Sequence, residues 1–222
     1  MTRILLILIG LLSLITTSAF AVTIDFTDST FSPGGASSIT QTVGGITVKV
    51  EAIEPAGAAL FWTGGLTTDF YGFKDGFGVN STLSYEVDEV DGPDRLKVSF
   101  LSGSVILSSI GITNLFTEGN PSYQEQGFYS LDGGAPVSFL ADLGQLPSPA
   151  SNGVLTLTFP LTPVNYIIFS APGLLNGQNH EFSVAGVEVT PVAEPGALLL
   201  VGTGLLAMSV WRRKGLVGRN RN

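Results

Sequence analysis

The sequence predicts an all-β domain, an antiparallel β-sandwich of jelly-roll type, set between an N-terminal signal peptide and a C-terminal transmembrane helix. Three observations predict it. The middle of the chain has an apolar period of two and is rich in Thr, Val, Ser and Gly; clusters of Gly, Pro, Asn and Asp interrupt it; and each end carries an uncharged apolar run. Alternation lays an apolar row along one face of each strand, and about ten short strands separated by turns need two sheets that cover each other. A closed barrel is the alternative. No repeat at a fixed period points to a propeller or a solenoid.

Residues 1–21 read as a signal peptide. Arg3 supplies the positive start, Ile4 to Ile15 the apolar core, and Ala19-Phe20-Ala21 the small-residue pattern that signal peptidase cuts, with Ala19 and Ala21 at the recognised positions. The mature chain is then predicted to begin at Val22.

Residues 22–191 are predicted to form the sandwich, a length suited to one domain with a sizeable core. Ile46, Val48 and Val50 alternate with Thr47, Lys49 and Glu51; Leu96, Val98 and Phe100 with Lys97 and Ser99; Leu155, Leu157 and Phe159 with Thr156 and Thr158. Further strands are predicted at Thr23–Phe26, Ala58–Trp62, Thr82–Val87, Val105–Ile112, Gly127–Leu131, Val137–Leu140, Tyr166–Ser170 and Glu181–Val189. Turns are signalled by Ser32-Pro33-Gly34-Gly35, Asp91-Gly92-Pro93-Asp94, Asp132-Gly133-Gly134 and Pro147-Ser148-Pro149.

Residues 192–222 form the last part. Gly196 to Trp211 carries no charge, and at about 1.5 Å per residue such a helix approaches the thickness of a bilayer core of roughly 30 Å. A buried core helix of this length is the alternative, but Leu198, Leu199, Leu200, Val201, Leu205, Leu206, Ala207 and Met208 leave no polar face for water. Arg212, Arg213, Lys214, Arg219 and Arg221 follow, and the positive-inside rule places this tail, 212–222, in the cytoplasm. The bulk of the chain is then predicted to lie outside, where the signal peptide also sends it.

Ala193-Glu194-Pro195, the Gly- and Leu-rich span, and Trp211-Arg212-Arg213-Lys214 together resemble the PEP-CTERM sorting signal of Gram-negative bacteria. Ala193 stands where the family motif has its first Pro. The resemblance covers about thirty residues. It implies that a membrane protease or transpeptidase, exosortase, recognises the chain near Glu194-Pro195 and releases or transfers the passenger to the cell surface. The chain would be the substrate of that reaction, a transient inner-membrane intermediate and then a surface or extracellular protein. Passengers of that family include β-sandwiches similar to carbohydrate-binding modules.

Charge and composition narrow the chemistry. All 18 Asp and Glu lie between Asp25 and Glu194, offset there only by Lys49, Lys74, Arg95 and Lys97, so the passenger is more acidic than the whole-chain charge of −8. Nucleic acid, a polyanion, is not expected as a partner on that ground. There is no Cys, so no disulfide framework forms. His180 is the only histidine; Gly177-Gln178-Asn179-His180 reads as a polar loop entering the last strand rather than as part of a catalytic triad. Gly72, Gly76 and Gly78 lack the Lys and the strand-to-helix setting of a phosphate loop.

Two candidate sites remain, both in the stretch Trp62 to Asp94. Trp62 and Tyr71, among glycines and carboxylates, would suit the apolar face of a sugar ring, but the plainer reading is that Phe70, Phe73 and Phe77 plug the end of the sandwich, since large aromatics usually fill cores. Asp88, Glu89, Asp91 and Asp94, with Asp75 or Asn80 across the fold, offer hard oxygens for Ca²⁺, while solvated turn carboxylates are the plainer reading. The expectation is a non-catalytic secreted or surface protein, structural or adhesive, associated with extracellular polysaccharide. The alternative is a carbohydrate-binding module with a defined sugar site, for which Ca²⁺ is a candidate ion rather than a requirement.

Overall fold

Gly44 and Gly45 turn the chain back on itself with φ of 57° and 83°. Positive φ at both central residues is the type I′ geometry, whose twist matches the strands it joins, and glycine adopts it without steric cost. The hairpin so formed pairs Ser38–Val43 with Ile46–Glu54, Val43 opposite Ile46. Asp132-Gly133 makes a second turn of the same kind, with φ of 50° and 73°.

The computed structural model describes residues 20–62, 75–81, 89–117, 123–142, 153–173 and 180–192, with positions 202, 204, 205 and 208. In chain order the described strands are β1 (Val22–Asp25), β2 (Ser38–Val43), β3 (Ile46–Glu54), β4 (Ala59–Trp62), β5 (Phe77–Asn80), β6 (Val90–Asp91), β7 (Arg95–Phe100), β8 (Val105–Thr113), β9 (Gln126–Leu131), β10 (Val137–Leu140), β11 (Leu155–Val164), β12 (Tyr166–Ser170) and β13 (Glu181–Pro191). The chain divides into two units, Met1–Pro191 and Val192–Asn222.

All the described strands of the first unit pair antiparallel, in two sheets. One runs β10-β9-β12-β7-β3-β2; the other runs β11-β8-β13-β5-β4, with β1 and β6 also on β13. The expected all-β, two-sheet architecture is therefore present. The apolar rows meet in one buried core: Val48, Val50, Leu96, Val98, Ile167 and Phe169 from the first sheet, and Ile110, Ile112, Val184 and Val187 from the second. Rings cross the gap, Phe139 of β10 and Phe169 of β12 against Phe182 of β13, and Tyr129 of β9 against Phe159 of β11.

Several strands depart from the expected spans. β3 continues to Glu54 and β11 to Val164, past Pro160 and Pro163, which an outer strand tolerates because its free side needs no N–H. β2, β5 and β6 are additional. The expected strand Thr82–Val87 and the turn Pro147-Ser148-Pro149 lie outside the described residues, as do residues 1–19. Of the predicted span 196–211, positions 202, 204, 205 and 208 are described and helical. Among the described residues no helix is long and apolar enough to cross a membrane.

Candidate functional site

The polar side chains buried in the sandwich collect at the end where β13 begins. Asp75, Asp91, Asp94 and Ser183 are fully buried, and Glu125, Thr113 and His180 nearly so. The strand register explains the gathering: Asp91 lies opposite Glu181, and Thr113 opposite Ser183.

Backbone geometry holds each acid. Asp91-Gly92-Pro93-Asp94 closes as a turn through Asp94 N–H to the Asp91 carbonyl at 2.7 Å, and the Asp94 carboxylate accepts from Ser81 Oγ at 3.2 Å. Glu89 holds β5 through its carbonyl, which accepts from Val79 N–H at 3.0 Å. The carbonyl of Asp75 accepts from Thr113 Oγ1 at 2.5 Å. Solvated turn carboxylates were the plainer expectation for this stretch, and for Asp91 and Asp94 burial overturns it: sequence neighbours Gly92 and Pro93 mark a turn, but β6 tucks that turn against β13. Asp88 lies outside the described residues. Among the described residues no group of three or more acidic or histidine side chains is placed to hold a metal ion.

His180 belongs to the same end. It is 4% exposed, so the imidazole is packed in rather than displayed on a polar loop. The Gln126 backbone N–H donates to its Nδ1 at 2.9 Å, and the Tyr123 ring lies 5.3 Å away. Burial holds its pKa below the usual 6.5. A neighbouring carboxylate, Glu125, accepts from Phe116 N–H at 2.5 Å. These groups tie the start of β9 to the start of β13, and sequence reasoning had no signal for the pairing because the partners are 54 residues apart.

Trp62 ends β4 half-buried against the core, and its indole Nε1–H donates to the Phe26 carbonyl at 2.6 Å. The polar edge of the ring is thus engaged inside the fold. Phe77 is fully buried and joins Phe26 and Phe31 in a cluster with centroids 5.2 to 6.2 Å apart, so it fills the core. Tyr71, Phe70 and Phe73 lie outside the described residues, as do Ala193, Glu194, Pro195, Arg212, Arg213 and Lys214 of the sorting motif and Ala19 of the cleavage site. Ala21 is exposed beside β1.

These features define an all-β, two-sheet domain with a buried polar end. No protein-family model matches the chain, and no curated protein matches it.

Proposed function

We propose that the chain is an exported, non-catalytic protein, delivered to the cell surface or medium by signal peptidase and exosortase, and acting there as a structural or adhesive component of the extracellular polysaccharide matrix. Its sandwich is of jelly-roll type in this reading. The observation that carries it is the order of parts along the chain: a signal-peptide pattern ending at Ala21, an acidic passenger, then Ala193-Glu194-Pro195, an uncharged run and Arg212-Arg213-Lys214.

The limits of the strands agree with that order. β1 starts at Val22, directly after the expected cut, and β13 ends at Pro191, just ahead of Ala193. The folded strands fit between the two processing signals. The single histidine also supports a non-catalytic role, since its Nδ1 is engaged by a backbone N–H and its ring is buried. A sugar-binding module remains the second class. Trp62 is a poor platform for it because its indole is bonded inward.

Intact-mass spectrometry of membrane, surface and medium fractions tests the reading. A species beginning at Val22 and ending near Glu194, found outside the cell, supports it. A chain that keeps residues 196–222 in the membrane overturns the sorting step and leaves a simple anchor.

A further inference from the structure

A sheet edge presents unpaired backbone groups, and proteins ordinarily blunt such edges with short strands, prolines, bulges or charges. Among the described residues the outer strands do so with one exception. β11 carries Pro160 and Pro163 and a register shift between Thr158 and Thr162. β10 has four residues and follows Pro136. β4 also has four, with its Leu60 N–H bonded to the Ala36 carbonyl. β2, Ser38-Ile39-Thr40-Gln41-Thr42-Val43, has six residues, no proline and no charge.

The register of β2 shows which of its backbone groups face outward. Val43 lies opposite Ile46 across the two-residue turn, Gln41 opposite Val48 and Ile39 opposite Val50. Two residues further back, Ala52 N–H donates to the Ser37 carbonyl at 2.9 Å. In an antiparallel pair the bonded positions alternate, so residues 37, 39, 41 and 43 bond to β3, and the N–H and C=O groups of Ser38, Thr40 and Thr42 point away from it. β2 is the last strand of its sheet, and Thr40 and Thr42 are exposed.

We propose that β2 pairs edge to edge with β2 of a second copy of this chain, antiparallel about a two-fold axis at Thr40. In that register Thr40 faces Thr40, and Ser38 of each copy faces Thr42 of the other. Every outward N–H then meets an outward C=O, which a shift of the register would not achieve. Hydroxyl side chains face one another across the seam on the outer surface, a favourable cross-strand pairing. On the core side Ile39 meets Gln41, whose side-chain amide donates to the Thr30 carbonyl of its own chain at 2.6 Å.

The charge pattern favours a copy of the same strand as the occupant. The chain carries a net −8, which would oppose a close contact between copies elsewhere, but this strand brings no charge to the seam. The charges beside it on β3, Lys49 and Glu51, are paired with each other at 3.0 Å. The contact is small, so a concentration-dependent dimer is expected rather than an obligate one.

The test uses cysteine, which the chain lacks. A Thr40→Cys variant of the full chain, oxidised in mild detergent, is expected to form a disulfide-linked dimer, because bonded antiparallel partners sit about 5.5 Å apart at Cα, within disulfide range. Thr156→Cys, exposed on the proline-guarded β11, serves as the control and is expected to stay monomeric. Adding Ser38→Lys and Thr42→Lys to Thr40→Cys sets lysine opposite lysine and should slow cross-linking on the order of tenfold, with an unchanged melting temperature. Equal cross-linking of Thr40→Cys and Thr156→Cys overturns the proposal, and so does a rate that the lysines leave unchanged in a folded chain.

Discussion

The Gln126 backbone N–H donates to His180 Nδ1 across 2.9 Å, joining the first residue of β9 to the residue before β13. A nitrogen that accepts a hydrogen bond holds no proton, so the imidazole is neutral with its hydrogen on Nε2. Protonation of Nδ1 would set N–H against N–H in a buried site.

Stability should therefore fall as the medium is acidified. The folded pKa of His180 is lowered by burial, whereas the unfolded chain titrates near 6.5. Between those values the unfolded state binds more protons, so stability is full above about 6.5 and is lost progressively below it until the folded pKa is passed. Thermal melting between pH 7.5 and 5.5 should show this loss. His180→Asn keeps an acceptor at the δ position without titrating, and its melting temperature should be flat over the same window; an equal slope in both proteins would refute the assignment.

Trp62→Phe should destabilise the domain. The substitution retains a ring against the core but leaves the Phe26 carbonyl without the indole donor that now meets it at 2.6 Å. A cost of about 1–2 kcal/mol is expected for a part-buried acceptor, read as a lower melting temperature. On a glycan array the same variant should bind as the parent does, since the indole N–H is already engaged by the Phe26 carbonyl.

Gly127→Ala should disturb the core. Gly127 is buried on β9, and a Cβ there would run into the rings of Phe139 and Phe182, which pack edge to face at 5.1 Å. Overpacking of this kind costs about 1–3 kcal/mol. Gly127→Ala combined with Phe139→Leu should recover part of that loss in a denaturant titration.

Asp132 should tolerate Asn but not Ala. It sits at φ 50° in the β9–β10 turn, and its carboxylate accepts from Asn165 N–H at 2.8 Å, Tyr166 N–H at 3.0 Å and Asn165 Nδ2 at 3.2 Å. Asn keeps an acceptor oxygen and the tolerance for left-handed backbone; Ala keeps neither. Asp132→Ala should lower the unfolding free energy by about 1–3 kcal/mol, and Asp132→Asn by clearly less, as measured by chemical denaturation.

Much of the fold was legible because alternation is a local property. The rows Ile46-Val48-Val50 and Leu96-Val98-Phe100 need only a period of two to declare a strand with one wet face, and Asp132-Gly133 declares its turn through the two residue types that accept positive φ. β2 was missed although Gly44-Gly45 signals a hairpin: Ser38, Thr40, Gln41 and Thr42 are polar on both sides of the alternation, so the apolar row reduces to Ile39 and Val43.

By itself the sequence determined the acidic balance of residues 22–194, the absence of cysteine, the apolar runs at both ends and most of the strands, since each depends on residue type and near neighbours alone. The tertiary structure decided the rest. It buried Asp91, Asp94 and His180, which read as loop residues, because β13 lays its first residues against β6 and within reach of β9. It turned Trp62 inward to Phe26, 36 residues away. Among the described residues it left β2 as an outer strand without proline, bulge or charge, because which strand ends a sheet follows from the pairing order of distant segments, and no local pattern carries that order.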